Sequence, residues 1–171
     1  VAVLAQASST VAGLAGVDGH LRPRLVGVLC DAVGAQGLVR GQYRDLRVGA
    51  AARSVQAIAE ANDEKTGVLF ACALEMAALI AGAPRAVRCL RAAASQVGQA
   101  FQLKDDLEDG IATAMSGKAP HQDTGKSTMV ALLGRPAVER LLQGHVDRAE
   151  ALVRSGVAES GPLVDLPRLA L

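Results

Sequence analysis

Apolar residues recur at the spacing of an α-helix along almost the whole of this 171-residue chain. No segment alternates apolar and polar residues, which is the pattern of a half-buried strand. The chain has only two phenylalanines, one tyrosine and no tryptophan, so alanine, glycine and leucine must fill the faces that the helices bury. The sequence therefore predicts an all-α protein arranged as a helical bundle, with residues 1–171 forming a single domain.

Glycine, proline and capping residues divide this pattern into segments. A glycine-rich stretch at residues 13–19 stops the first helix, Pro23 suits a first helical turn, and Ser54 is a capping residue. The predicted helices cover residues 1–14, 23–47, 54–61, 64–81, 85–111, 125–133 and 136–153. The intervening residues 113–124 contain glycine, proline, histidine and aspartate and are predicted to form a loop.

Composition excludes several classes of protein. A content of 50% hydrophobic and 20% charged residues argues against disorder, and a net charge of +1 creates no global field for nucleic acid or an anionic membrane. No apolar run reaches the ~20 residues that span a bilayer, because residues 68–83 are too few and are interrupted by Glu75. Cys30, Cys72 and Cys89 each stand among apolar neighbours and are expected to be reduced thiols buried in the core.

The stretch AFQLKDDLEDG places four acidic residues within five positions at the end of an apolar run. On a helix Asp105 and Asp109 are roughly 5–6 Å apart on one face, and Asp106 flanks the same side. Like charges at this spacing repel one another, and ionised carboxylates removed from water need a positive partner. Carboxylate oxygens with room for water and phosphate suit Mg²⁺. A solvated acidic helix end is the alternative interpretation.

The neighbouring charges of this stretch behave differently. Lys104 and Glu108 have the same helical spacing on another face, so they can neutralise each other. The acidic positions do not follow the spacing of an EF-hand loop, which excludes that type of calcium site.

A second charged cluster follows in the loop GKAPHQDTGKST. Lys118 and Lys126, with Asp123 between them, come directly after the acidic helix. Cations that follow anions across a loop could hold a metal-bridged diphosphate, with Mg²⁺ on the acidic side and ammonium groups on the other oxygens. The loop is not a P-loop, because Pro120 stands where that motif requires glycine.

Four segments together resemble the trans-isoprenyl diphosphate synthases. FQLKDDLEDG resembles the second aspartate-rich motif of that family, FQ followed by DDxxD. In chain order, GQYRDL at residues 41–46 resembles the GQxxDL helix, EKTGVLF at 64–70 the KT segment, and GKAPHQDTGKST at 117–128 the loop with two lysines. DTGKSTMVALLG is similar to the geranylgeranyl diphosphate synthases of bacterial carotenoid pathways. The resemblance covers residues 1–153.

The resemblance implies a helical bundle of the isoprenoid-synthase type and a Mg²⁺-dependent prenyltransferase. In this family an allylic diphosphate, such as dimethylallyl, geranyl or farnesyl diphosphate, loses its diphosphate group and isopentenyl diphosphate adds head to tail. The product implied here is geranylgeranyl diphosphate, for isoprenoid and carotenoid biosynthesis. The resemblance also implies a cytoplasmic homodimer, while the charge and the apolar run lengths predict no nucleic-acid binding and no membrane span.

Roles for individual residues come from the same resemblance. It assigns metal binding, diphosphate binding, catalysis and support of the site to residues of the four motifs. They are Asp105, Asp106 and Asp109 for the metal; Lys65, Lys118 and Lys126 for diphosphate; Lys65, Thr66 and Gln102 for catalysis; and Gln42, Asp45 and Phe101 for support.

The sequence departs from the family in one respect. Family members carry a first aspartate-rich motif, followed by arginines, upstream of the second, and neither is found here. The other adjacent acids before Asp105 are Asp63 and Glu64, which open the KT segment. Together with Val1 in place of methionine, this predicts the C-terminal part of a synthase whose N-terminal helices, and with them half of the metal site, are absent. Two alternatives stay open: a non-catalytic synthase-like subunit that binds a complete homologue, and a helical module whose acidic end is only solvated.

Overall fold

The computed structural model describes residues 2–48, 53–116, 128–157 and 161–171. Every regular element in these ranges is a helix, which confirms the all-α prediction. The α-helices are α1 (Ala2–Ala12), α2 (Arg22–Val33), α3 (Leu38–Val48), α4 (Val55–Asn62), α5 (Val68–Ile80), α6 (Val87–Ser116), α7 (Met129–Leu133), α8 (Arg135–Gly156) and α9 (Leu166–Leu169). A π-helical turn (Asp63–Gly67) leads into α5, and 3₁₀ turns precede α6 (Pro84–Ala86) and α9 (Gly161–Asp165). None of the helices described is both long and apolar enough to cross a membrane.

Helix α6 is the central element, because both α5 and α8 pack against it. Ala93, Ala94 and Ala100 on α6 are at most 1% exposed. These small side chains let the neighbouring helices come close, which accounts for a core built with few aromatic rings.

Two apolar clusters form the core. The first joins α5, α6 and α8 with both 3₁₀ turns and consists of Ala78, Ala86, Leu90, Ala93, Val153 and Val164. The second joins α4, α6, α7 and α8 and consists of Ile58, Leu103, Leu107, Met129 and Val138. Because Leu103 and Leu107 flank the first two aspartates of the acidic stretch, this part of α6 is anchored in the core by one face while another face carries the charges.

Several predicted boundaries are confirmed within a few residues. The Ser54 hydroxyl accepts a hydrogen bond from the Ala57 N–H at 3.2 Å, so it caps α4 as expected. Helix α6 continues to Ser116, beyond the predicted end at residue 111 and into the predicted loop. The rest of that loop, residues 117–127, lies outside the described residues.

The predicted helix over residues 23–47 was wrong, because the structure has two helices there. Helix α2 ends at Val33, and α3 begins at Leu38. Gly34 leaves the helical conformation with φ −77° and ψ −167°, and a Cβ at this position would lie 2.6 Å from the Cys30 carbonyl oxygen. The Gly37 N–H then bonds to the Gly34 carbonyl oxygen at 3.1 Å. Two glycines within four residues make this turn less costly than a continuous helix.

The expectation for the cysteines is confirmed in part. All three thiols are free; Cys72 is buried at 5% exposure, whereas Cys89 is only half-buried. Burial, with a smaller contribution from the Glu75 charge, raises the pKa of the Cys72 thiol. The prediction was wrong for Cys30, which is exposed. Helix α2 buries Leu25, and Cys30 lies about 140° further around the helix axis at 3.6 residues per turn.

Candidate functional site

The KT segment forms the π-helical turn Asp63–Gly67, which joins α4 to α5. In a π-helical turn each bond spans five residues instead of four, as the Val68 N–H does when it bonds to the Asp63 carbonyl oxygen. Such turns widen a helix locally and occur frequently at functional sites. Lys65 and Thr66 therefore lie on a widened turn, which packs against both α3 and α6.

Glycine backbone approaches this turn from both neighbouring helices. A Cβ on Gly41 of α3 would lie 2.8 Å from the Lys65 amide nitrogen and the Glu64 carbonyl carbon. A Cβ on Gly98 of α6 would lie 2.6 Å from the Cα of Gly67. Any larger residue would push the backbones apart, so the two glycines allow α3 and α6 to hold the turn in direct contact.

The structure brings Thr66 and Gln102 together. Gln102 Nε2 donates a hydrogen bond to Thr66 Oγ1 at 3.0 Å, although the two residues are 36 positions apart in the chain. Phe101, next to Gln102 on α6, has its ring centroid 6.0 Å from that of Phe70 with an interplanar angle of 57°. Since Phe101 remains 39% exposed, an apolar surface adjoins the polar pair.

The first two aspartates of the acidic stretch have different environments. Asp105 is exposed and follows Gln102 by three positions, so both lie on one face of α6. Asp106 is half-buried, and its Oδ2 accepts a hydrogen bond from the Met129 N–H at 3.3 Å, where α7 begins. The side chain of Asp109 lies outside the described residues. Asp105 and Asp106 are therefore not equivalent in their surroundings.

The expected pairing of the other charges on α6 is present. Lys104 Nζ lies 3.5 Å from Glu108 Oε1, so these two residues neutralise each other. In the described part of the chain, no group of three or more histidine, cysteine or acidic side chains is arranged to hold a metal ion. The donors nevertheless have the right chemistry for Mg²⁺, which prefers carboxylate oxygens. A carboxylate offers about four lone-pair positions, so the contact with Met129 does not exhaust Asp106.

The remaining predicted residues are placed only in part. Gln42 lies on α3 and is exposed. The side chain of Asp45 and the whole of Lys118 and Lys126 lie outside the described residues. Lys65 is placed by the π-helical turn, one position before Thr66.

Sequence reasoning missed a set of polar contacts that hold the π-helical turn. Glu64 Oε1 lies 3.1 Å from Arg40 and 2.9 Å from Arg44. On the α6 side, the Ser95 hydroxyl donates to Asp63 Oδ1 at 2.6 Å. The signal was present in the sequence, since the two arginines have i, i+4 spacing and the acids are adjacent, but only the fold brings them within reach of each other.

A further polar contact of this region comes from the core side of α6. Gln99 is 8% exposed, and its Nε2 donates to the Ala59 carbonyl oxygen at 2.7 Å. That carbonyl also accepts from the Asp63 N–H. The buried Gln99 side chain therefore has a hydrogen-bond acceptor for its amide N–H at the point where α4 passes into the π-helical turn.

Comparison with known proteins bears directly on this arrangement of motifs. The model of the family described as polyprenyl synthetase matches residues 1–147. The chain belongs to the polyprenyl synthetase family. Among its relatives, the geranylgeranyl diphosphate synthase of Pantoea ananas is 43% identical over 150 residues, which are 87% of this chain and 49% of that protein. The geranylgeranyl diphosphate synthase of Pseudescherichia vulneris is 38% identical over 164 residues, covering 95% of this chain and 53% of that protein.

Solved structures of polyprenyl synthetase relatives confirm the fold. An FPP/GFPP synthase from Zymomonas mobilis, 30% identical, superposes with a TM-score of 0.80 over 98% of this chain and 57% of that one. The helical bundle of isoprenoid-synthase type is thus the architecture of the present chain. The chain spans about half the length of the curated relatives it matches.

Proposed function

We propose that the protein containing this chain is a Mg²⁺-dependent trans-prenyltransferase. It condenses an allylic diphosphate with isopentenyl diphosphate head to tail, and its product is geranylgeranyl diphosphate. Membership of the polyprenyl synthetase family and 43% identity to a geranylgeranyl diphosphate synthase support this proposal. The observation that carries it is the hydrogen bond between Gln102 and Thr66, because it joins the KT segment to the helix of the acidic motif.

We assign residues to the diphosphate end of the site by the charge of their side chains. When bound, Mg²⁺ supplies positive charge that stabilises the leaving diphosphate. Asp105, Asp106 and Asp109 would hold the metal through carboxylate oxygens, which are the donors it prefers. The side chains of Lys65, Lys118 and Lys126 would donate to the diphosphate oxygens, since an ammonium group offers three hydrogen-bond donors and a full charge.

We assign residues to the hydrocarbon end of the site by their amide dipoles and their apolar surface. Gln102 gives its amide N–H to Thr66, so its carbonyl oxygen is left to face developing positive charge on the allylic carbon. The exposed ring of Phe101 would contact the prenyl chain. Gln42 and Asp45, both on α3, would support the site from across the π-helical turn.

The wider properties of the protein belong to the same proposal. We place the chain in one domain of a cytoplasmic homodimer. A non-catalytic subunit is not favoured, because the relatives are named as geranylgeranyl and farnesyl diphosphate synthases. A purely solvated acidic end is disfavoured as well, since Asp106 is half-buried and bonded to Met129.

The test is a metal-dependence assay on the natural protein that contains this chain. We expect turnover of isopentenyl and farnesyl diphosphates to require Mg²⁺ and to stop in excess chelator. Asp105→Ala should lower kcat at least about a hundredfold, since it removes charge that acts mainly in the transition state. Folding should be unaffected, because Asp105 is exposed.

Glu108→Gln is the matched control, because it also removes an exposed carboxylate from α6. That variant should keep its activity. Turnover in chelator, or an Asp105→Ala enzyme as active as the control, would rule out the metal assignment.

A further inference from the structure

Glu64 is held by two arginines of the neighbouring helix. Its Oε1 lies 2.9 Å from Arg44 and 3.1 Å from Arg40, and both arginines belong to α3. The Glu64 side chain is 13% exposed, whereas those of Arg40 and Arg44 are 42% and 50% exposed. The carboxylate is thus the inner member of the cluster, and the guanidinium groups cover it from the solvent side.

Two of the polar anchors described on the π-helical turn hold adjacent side chains, and this cluster is one of them. Asp63, the preceding residue, is fixed on the other side by the Ser95 hydroxyl of α6 at 2.6 Å. Adjacent side chains are therefore bound to different helices, and the backbone contact of Gly41 lies at Glu64 and Lys65. Because Lys65 and Thr66 follow directly in the chain, the rotation of the turn that sets their direction depends on both anchors.

The second oxygen of Glu64 argues that the residue is not there for stability alone. Oε2 is buried, and within the described residues it has no hydrogen-bond partner. A buried, half-satisfied carboxylate is a costly way to fill space, and apolar or amide side chains of similar size often do as well or better. A charged carboxylate at Glu64 has a use if its ion pairs with Arg40 and Arg44 fix the orientation of the π-helical turn.

We propose that Glu64, bound by Arg40 and Arg44, is a positioning residue that couples α3 to the π-helical turn. It aims Lys65 at the diphosphate, without itself touching the substrate. This inference rests on the proposed function, because Lys65 must bind diphosphate for its position to matter. The Glu64 ion pairs also join α3, which carries Gln42 and Asp45, to the turn that carries Lys65 and Thr66.

The experiment measures kcat and KM separately in the natural protein with isopentenyl and farnesyl diphosphates. Glu64→Gln keeps the shape of the side chain and removes its charge. We expect KM for farnesyl diphosphate, which carries the diphosphate that Lys65 binds, to rise about tenfold with kcat little changed, because a misplaced lysine weakens binding in the ground and transition states alike. A merely structural role would lower the active fraction and leave KM unchanged.

Two further variants sharpen the result. Glu60→Gln is the matched control, since Glu60 is an exposed acid that lines the same open pocket of about 460 Å³ as Glu64 and pairs with Gln56 instead. Its KM should stay at the unmodified value. Arg44→Gln removes one of the two ion pairs of Glu64 at the more exposed arginine and leaves the Arg40 pair in place, and it should raise KM in the same direction as Glu64→Gln.

The double variant decides the matter. If the two residues act as one unit, Arg44→Gln adds little to the KM of Glu64→Gln. The inference is overturned if Glu64→Gln leaves KM as in Glu60→Gln, or if the two effects multiply. Failure of the unmodified protein to turn over the substrates would instead refute the proposed function, so the two failures are distinguishable.

Discussion

His145 on α8 is a titratable residue that the fold keeps in its neutral form. Its Nδ1 lies 2.9 Å from Gln96 Oε1 on α6 and 3.2 Å from the guanidinium of Arg148. Burial, together with the positive charge of Arg148, lowers the pKa of His145 below its ordinary 6.5. Arg148 also donates to Gln96 at 3.0 Å, so the three side chains form one contact between α6 and α8.

The lowered pKa predicts a loss of stability in acid. Above pH 6.5 the imidazole is neutral in both the folded and the unfolded chain. As pH falls through this value the unfolded chain takes up a proton more readily than the folded one, so the free energy of unfolding decreases. Urea denaturation at a series of pH values should show this decrease, and His145→Gln should remove part of it.

A control for this measurement is available on the surface. His20→Gln removes an exposed histidine without touching the α6–α8 contact, and it should leave the pH profile of the unmodified protein in place. Equal pH profiles for His145→Gln and the unmodified protein would contradict the assignment.

At the scale of elements, helices α3 and α6 both make close backbone contacts with the π-helical turn. Gly98 meets Gly67 where α6 crosses the turn, and Gly41 meets Glu64 where α3 does. A side chain at either glycine would have no adjacent space, because the nearest facing atoms are backbone. The position of Lys65 and Thr66 therefore depends on two glycines as well as on the polar anchors.

This fit predicts that Gly98→Ala is destabilising although alanine favours helices. The new Cβ would lie 2.6 Å from Gly67 Cα, so we expect a loss of about 1–3 kcal/mol from the backbone shift. Gly27→Ala on α2 is the control, because a Cβ there would meet nothing within 4 Å. That change should be neutral or should stabilise by up to about 1 kcal/mol.

Thermal or urea unfolding of both variants measures the difference directly. If Gly98→Ala proves as stable as Gly27→Ala, the helices do not hold the turn as tightly as the distances indicate.

Over the molecule as a whole, α1 and α3 leave large apolar side chains on the described surface. No residue of α1 is buried, and Val3 and Leu4 are 81% and 42% exposed. On α3, Tyr43 and Leu46 are 55% and 73% exposed. Large apolar side chains left uncovered on these two helices are available to an interface with another chain.

We therefore predict that the 171-residue chain self-associates at micromolar concentration, and that the natural protein is a homodimer, the commonest arrangement of soluble oligomers. Val3→Asp should weaken the association if α1 contributes to it, because an ionised carboxylate is costly to bury. Leu169→Asp, an equally polar change at a residue 78% exposed on α9, is the control. Sedimentation of the unmodified chain as a stable monomer would contradict the prediction.

The sequence by itself determined the features that depend on neighbours within a few positions. Helical period, the Ser54 cap and the Lys104–Glu108 pair are of this kind, and each is present in the structure. The four motifs also identified the family, because their residue types and order are legible without coordinates. The break at Gly34 is a local feature that the sequence did not predict, because the apolar spacing on both sides of it indicated one continuous helix.

Only the tertiary structure decided how residues distant in the chain share the site. Glu64 is 20 positions from Arg44, and Thr66 is 36 positions from Gln102. Whether such residues meet depends on how three helices pack, and therefore on the glycine contacts and the buried alanines of α6. Packing also decided that Cys30 is exposed and that Asp106 accepts a hydrogen bond from the Met129 N–H. The burial and the hydrogen-bond partners of a residue depend on which elements pack around it, and local composition does not specify them.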